Sequence, residues 1–176
     1  MDALVIVAIV AITLMAVFFG LVVFIGAPYV PSQTKYVRRA FEHFELSSND
    51  TLVDLGSGDG IVLRIASSYG ANAVGYEVNP FLIGLSRLYS LHDPRVRVEM
   101  RNFWLSPLPD EVTIVYAFAV QRDEKKLIKL LQKEADRQGR SLRLVCLGSP
   151  FKSRPAQDLF EAYALYVFNP LQSKKA

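Results

Sequence analysis

The chain has 176 residues, 51% of them hydrophobic, with a formal net charge of +3, enough for one domain with a core of its own. A single cysteine, Cys146, excludes an internal disulfide framework and a cysteine-rich metal centre, and His43 and His92 are too far apart in sequence for metal-ligand spacing. No basic run is interleaved with aromatics, so no nucleic-acid surface is expected.

The apolar content is concentrated at the front. From Ala3 to Ala27 no residue is charged, and at ~1.5 Å per residue such a helix exceeds the ~30 Å hydrocarbon core of a bilayer. The segment therefore predicts a transmembrane anchor over residues 1–27. It lacks the basic n-region of a signal peptide and Pro28 follows it directly; it is apolar all round, unlike a soluble amphipathic helix. Asp2 precedes the run, whereas Lys35, Arg38 and Arg39 follow it, which orients the remainder toward the cytoplasmic or matrix side. Beyond the anchor and Asp2 the chain has 20 basic and 16 acidic residues, a balance suited to an anionic leaflet.

Residues 28–50 read as a joint and a helix. Pro28 and Pro31 bias their predecessors toward extended backbone; Ser32 is placed to cap a helix whose apolar positions Val37, Ala40, Phe41 and Phe44 follow the helical period. From residue 51 to 170 apolar strands alternate with helical segments. The strands are Thr51 to Leu55, Ala73 to Val78, Val96 to Met100, Val112 to Phe118 and Leu142 to Leu147. Helices are expected from about Asp59 to Tyr69, from Phe81 to Leu91 behind an Asn79 cap and Pro80, and from Asp123 to Gln138. The alternation predicts an α/β fold, Rossmann-like, with a mostly parallel sheet covered by helices on both faces. After Pro150 only one further strand is predicted, Tyr163 to Phe168, antiparallel and next to the fifth; residues 171–176 are a tail.

In such a sheet, ligands bind beyond the carboxyl ends of the strands. The first strand runs into Asp54-Leu55-Gly56-Ser57-Gly58-Asp59-Gly60, and Glu77 ends the second, 19 residues past Gly58. Glycines at a strand-to-helix turn bare the backbone amides to a ligand, and an acidic residue about 20 positions on accepts ribose hydroxyls. Ile61 occupies the sixth position, where a dinucleotide fingerprint needs Gly or Ala, and no P-loop Lys-Ser/Thr follows. Asp54 is expected to accept loop amides or to take a ligand amino group through water. Asn79 follows Glu77, and Asn102 and Phe103 follow the third strand, placed to meet a base. Tyr29, Tyr116 and Phe118 are candidates for an aromatic acceptor pocket.

The acidic residue followed by Gly-x-Gly-x-Gly resembles motif I of class I S-adenosylmethionine-dependent methyltransferases. Ala27-Pro28-Tyr29-Val30-Pro31 after an apolar segment, the glycine loop, and Gly75-Tyr76-Glu77-Val78-Asn79-Pro80 together resemble the family with sequence similarity 173, small membrane-anchored protein-lysine methyltransferases. The resemblance covers about Ala27 to Gln121. It implies S-adenosyl-L-methionine as cofactor, held by Gly56, Gly58, Gly60 and Glu77. It also implies a pre-methyltransferase motif at Pro28, Tyr29 and Pro31 near the active site, and a membrane-associated protein as acceptor. Asn102 departs from the acidic residue common at its position. Methylation of a small or lipidic molecule, or a catalytically silent binding module, are the alternatives. No metal is expected.

Overall fold

The computed structural model describes residues 3–25, 33–118 and 121–171, with side chains for 3–15, 33–118 and 122–171. Contacts divide the chain into two units, Met1–Val30 and Pro31–Ala176. The first unit contains α1 (Ala3–Ile25), 23 uncharged residues. Among the described residues no helix is long and apolar enough to cross a membrane. The expected segment is thus helical, but its membrane crossing is not part of the described structure.

The second unit contains α2 (Thr34–His43), β1 (Thr51–Leu55), α3 (Ile61–Ser68), β2 (Asn72–Glu77), α4 (Pro80–Tyr89), β3 (Val96–Met100), β4 (Ile114–Phe118), α5 (Glu124–Gln138), β5 (Leu142–Leu147), β6 (Asp158–Phe160) and β7 (Tyr163–Phe168). They build one seven-stranded sheet in the order β3-β2-β1-β4-β5-β7-β6. The first five strands pair in parallel, and β7 runs antiparallel to both β5 and β6. Every residue of β1 is buried, as expected where both faces of a parallel strand are covered. Leu52, Ile114 and Tyr116 pack with Val37, Phe41 and Leu63 of α2 and α3. Val53, Val115 and Ala117 pack with Leu127 and Leu131 of α5 on the opposite face. That second face has no helix between β3 and β4; Leu108 and Val112 from the intervening loop complete its core.

The C-terminal end differs from the expectation of one strand. β6 is a three-residue edge strand joined to β7 by a tight turn in which Glu161 has φ 54°. Two of its three residues are exposed, so no hydrophobic pattern marks it in the sequence. Other boundaries move by one or two residues for local reasons. Gly60, at φ 78°, precedes α3, so the helix starts at Ile61 rather than Asp59. Val112 N–H bonds Pro109 O, so that residue belongs to a turn and β4 begins at Ile114. The residue before α2 is Gln33, without a side-chain cap bond; Ser32 lies outside the described residues. Asn79 caps α4 as expected, its Oδ1 accepting from Phe81 N at 2.9 Å and Leu82 N at 3.4 Å.

At the amino edge of the parallel strands Asp50 ties three segments together. It accepts from Ser47 N at 3.0 Å, Thr113 Oγ1 at 2.7 Å and Arg143 Nη2 at 2.6 Å. Burial alone would raise its pKa, but these donors and the Arg143 charge outweigh it and hold the carboxyl below its usual value.

Under α3, Gly75 leaves no room for a side chain. An added Cβ would meet Ser57 Oγ and come within 2.7 Å of Leu63 Cδ1. Gly75→Ala is expected to cost about 1–3 kcal/mol by overpacking, read as a lowered chemical-denaturation midpoint; an unchanged midpoint would contradict this packing.

Candidate functional site

The order of the sheet reverses between β1 and β4, which opens a crevice beyond their carboxyl ends. Gly56, Gly58 and Gly60 follow β1 with φ of 89°, 55° and 78°, conformations that side chains rarely adopt. Gly56 is exposed, and a Cβ added there would meet nothing within 4 Å. The loop backbone is therefore open to a ligand at that point.

Glu77, at the end of β2, is the acceptor that shapes this loop. Its Oε2 accepts from Gly58 N at 2.9 Å, and its Oε1 accepts from Val78 N at 2.7 Å and Asn79 N at 2.9 Å. Tyr76 O takes Gly56 N at 2.9 Å and Ser57 N at 3.1 Å, and Ser57 O takes Gly60 N at 2.9 Å. The loop amides thus go to Glu77 and to backbone carbonyls, not to Asp54 as expected from the sequence. A carboxylate oxygen has two acceptor positions; both on Oε1 are taken, and Oε2 has one left for a hydroxyl donor.

Asp54 lies on the α3 side of β1, level with Gly75 and Tyr116 on the neighbouring strands. It is 4% exposed. Burial, reinforced by the charges of Glu77 and Asp59, pushes its pKa up to about 8. Near neutral pH Asp54 therefore favours its protonated form. A positive charge placed beside it would reverse that preference. Ser57 Oγ is buried without a hydrogen-bond partner, packed against Gly75 beneath α3.

The remaining candidates occupy different surroundings. Asn102 is half-buried after β3, and its Oδ1 accepts from Trp104 N at 3.0 Å. Phe103 and Trp104 lie with ring centroids 4.6 Å apart, partly buried against the α5 side of the core. Tyr116 is 2% exposed, edge-on to Phe41 at 6.0 Å beneath α2. It is a core residue: two residues before the end of β4, it points into the face packed beneath α2. Phe118, the last residue of β4, is half-buried at that end. Tyr29 lies outside the described residues.

Two residues near this edge were not signalled by the sequence. Tyr163 is hydrogen-bonded by Tyr116, and burial pushes its phenol pKa up; it pairs in register with Leu147, itself opposite Phe118. Glu124, the first residue of α5, accepts from Lys152 N at 3.0 Å and Ser153 N at 2.8 Å and so shapes the loop after β5. The Ser153 hydroxyl and these amides hold its pKa below the usual value. An acidic residue in a first helical turn already has a local explanation in the helix dipole, so nothing in the sequence points to a loop 28 residues away. Among the described residues no group of three or more His, Cys, Asp or Glu is placed to hold a metal ion.

No family model matches the sequence. The chain is 33% identical over 110 residues to a Xenopus laevis lysine N-methyltransferase named for a subunit of ATP synthase, a match covering 61% of this chain and 48% of that protein. It is 44% identical over 90 residues to a protein-lysine N-methyltransferase of Saccharolobus islandicus, covering 50% of this chain and 48% of the relative. The chain thus spans about half the length of these relatives. Among solved structures, an RNA methyltransferase from Salinibacter ruber in complex with S-adenosyl-L-homocysteine superposes with a TM-score of 0.69 at 23% identity. That superposition covers 84% of this chain and 98% of the other, a likeness of fold.

The protonated Asp54 makes a prediction about stability and pH. Its folded pKa lies above the unfolded carboxylate value of 3.8, so the folded state binds the extra proton between those limits. Stability is then fully retained below pH 4 for this group and falls as pH rises toward 8, by roughly 2–5 kcal/mol. Thermal unfolding from pH 5 to 9 should show this decline in the wild type and a shallower one in Asp54→Asn. Parallel slopes for the two proteins would refute it.

Proposed function

We propose that this chain, a class I methyltransferase resembling the family with sequence similarity 173, uses S-adenosyl-L-methionine to methylate a lysine side-chain amine of a membrane-associated protein. The observation that carries the cofactor assignment is the join between glycine loop and strand end: Gly58 N–H to Glu77 Oε2 at 2.9 Å, with a free acceptor position on that oxygen. The names of the frog and archaeal relatives, both lysine N-methyltransferases, support the lysine acceptor. The uncharged helix α1 supports attachment to a bilayer, with the second unit on its cytoplasmic or matrix side.

The cofactor supplies an electrophilic methyl group on a sulfonium. Glu77 suits the ribose, and the open backbone at Gly56 permits close approach of the methionine end. Asp54 suits a cationic group, because a neighbouring positive charge stabilises the carboxylate that burial disfavours. Ser57 Oγ, buried and unpartnered, offers one more hydrogen bond. Asn102 has a second acceptor position on its oxygen beyond the one given to Trp104 N. Methyl transfer to an amine is an in-line displacement, so the protein's contribution is chiefly to align the acceptor and exclude water. Phe118 at the edge of the crevice provides an apolar wall, which also lowers the pKa of a lysine amine brought against it.

Calorimetric titration of the full chain with S-adenosyl-L-methionine should show binding, weakened about 10–100-fold in Glu77→Gln through loss of one charge-assisted hydrogen bond. Failure of the wild type to bind removes the enzyme reading. With tritiated cofactor and native membranes, label is expected on lysine in a protein band; label confined to the lipid extract overturns the acceptor assignment. Carbonate extraction at high pH should leave the chain in the membrane pellet, and its release would contradict the anchor.

A further inference from the structure

The outer face of α5 segregates charge. Lys125, Lys126, Lys129 and Lys133 are all exposed, within about 12 Å of helix. Among the described residues none of the four takes part in an ion pair. The acidic residues of the same helix already have partners. Glu124 receives the loop amides described above, and Glu134 accepts from Leu108 N at 3.2 Å and pairs with Arg137 at 2.7 Å. Asp136 accepts from Gln132 Nε2 at 3.0 Å and Leu171 N at 2.7 Å. Positive charge therefore dominates this face: Lys125, Lys129 and Lys133 line a shallow groove with Ile128, Gln132 and the single carboxylate Asp136.

An apolar element adjoins it. Lys126 Nζ lies 6.0 Å from the centroid of the Trp104 ring, and the next residue, Leu105, is 83% exposed. An indole beside an ammonium, with an exposed leucine next to it, is the composition found at a membrane–water interface. The ring sits at headgroup level, the alkyl group dips toward the acyl chains and lysines meet anionic headgroups.

We propose that α5 and the Trp104–Leu105 turn form a docking face for an anionic lipid leaflet. The docked face brings the carboxyl edge of the sheet, which carries Trp104, to the membrane surface. The inference rests on the membrane location proposed above and is independent of the identity of the methyl acceptor. A nucleic-acid strand fits less well: the groove between the lysines is lined by Ile128 with no aromatic, Trp104 stands outside it, and Leu105 has no role against a phosphodiester.

Trp104 is the only tryptophan of the chain, so its fluorescence reads docking directly. The full chain is reconstituted with vesicles of phosphatidylcholine alone or with added phosphatidylglycerol, each carrying a lipid spin-labelled near the headgroup. Docking predicts a blue shift and several-fold stronger quenching of Trp104 in the anionic vesicles, reversed by high salt. The combined K125E/K126E/K129E/K133E variant should fall to the phosphatidylcholine level, as should the matching four Lys→Gln changes, with retained S-adenosyl-L-methionine binding showing that the fold is intact. Flotation of the same samples scores membrane tethering separately. Equal quenching in both lipids, or quenching that survives in the variants, overturns the docking face while leaving the anchor intact. A chain that floats with neither composition overturns both. Displacement of Trp104 from anionic vesicles by single-stranded RNA would assign the face to nucleic acid instead.

Discussion

The hydrogen bond from Gly58 N–H to Glu77 Oε2 joins two turns that are 19 residues apart in sequence and adjacent in space. A loop with three glycines at positive φ has little intrinsic preference for one shape, because glycine loses more backbone freedom on ordering than any other residue. External acceptors must therefore define it. Tyr76 O and the Glu77 carboxylate do so, and both belong to the end of β2. The parallel pairing of β1 with β2 brings that strand end to the loop. The crevice, its open backbone at Gly56 and the start of α3 all depend on this contact.

The same contact has an electrostatic consequence. Burial, reinforced by the charges of Glu77 beside the loop and Asp59 within it, pushes the pKa of Asp54 up to about 8. Carboxylates collected at one strand edge create a negative potential that burial intensifies. The start of α3 and the unpartnered Ser57 hydroxyl present donors. A ligand bearing both a carboxylate and cationic centres matches such a division of charge. This complementarity links the fold to the proposed methyl donor without invoking any single diagnostic residue.

Economy of covering elements shapes the rest of the molecule. One face of the sheet has three helices, whereas the other is covered by α5 and by the loop between β3 and β4. That loop must bury Leu108 and Val112 to complete the core, and in doing so it brings Trp104 against Lys126. The surface proposed to meet lipid is thus a by-product of how the second face is closed.

The architecture was legible in residues 51–147 because its signals are local. Alternating apolar runs, glycine stops, and the Asn79-Pro80 cap each specify a strand, a turn or a helix start within a few residues. The proposed class of ligand also rests on sequence, on Asp54, the three glycines and Glu77 at their spacing. Three features required the tertiary structure. β6 has three residues, too few to show a period, and exists because β7 offers it an edge. Tyr116 looks like a pocket aromatic at a strand end, but the alternation of β4 sends it beneath α2 against Phe41. The loop amides go to Glu77 and backbone carbonyls in place of Asp54: which carboxylate holds the loop depends on where β2 ends relative to Gly58, and sequence spacing conveys that distance only as a number of residues. Spacing along the chain determines which groups can meet; burial and register decide which hydrogen bonds and charges they then carry.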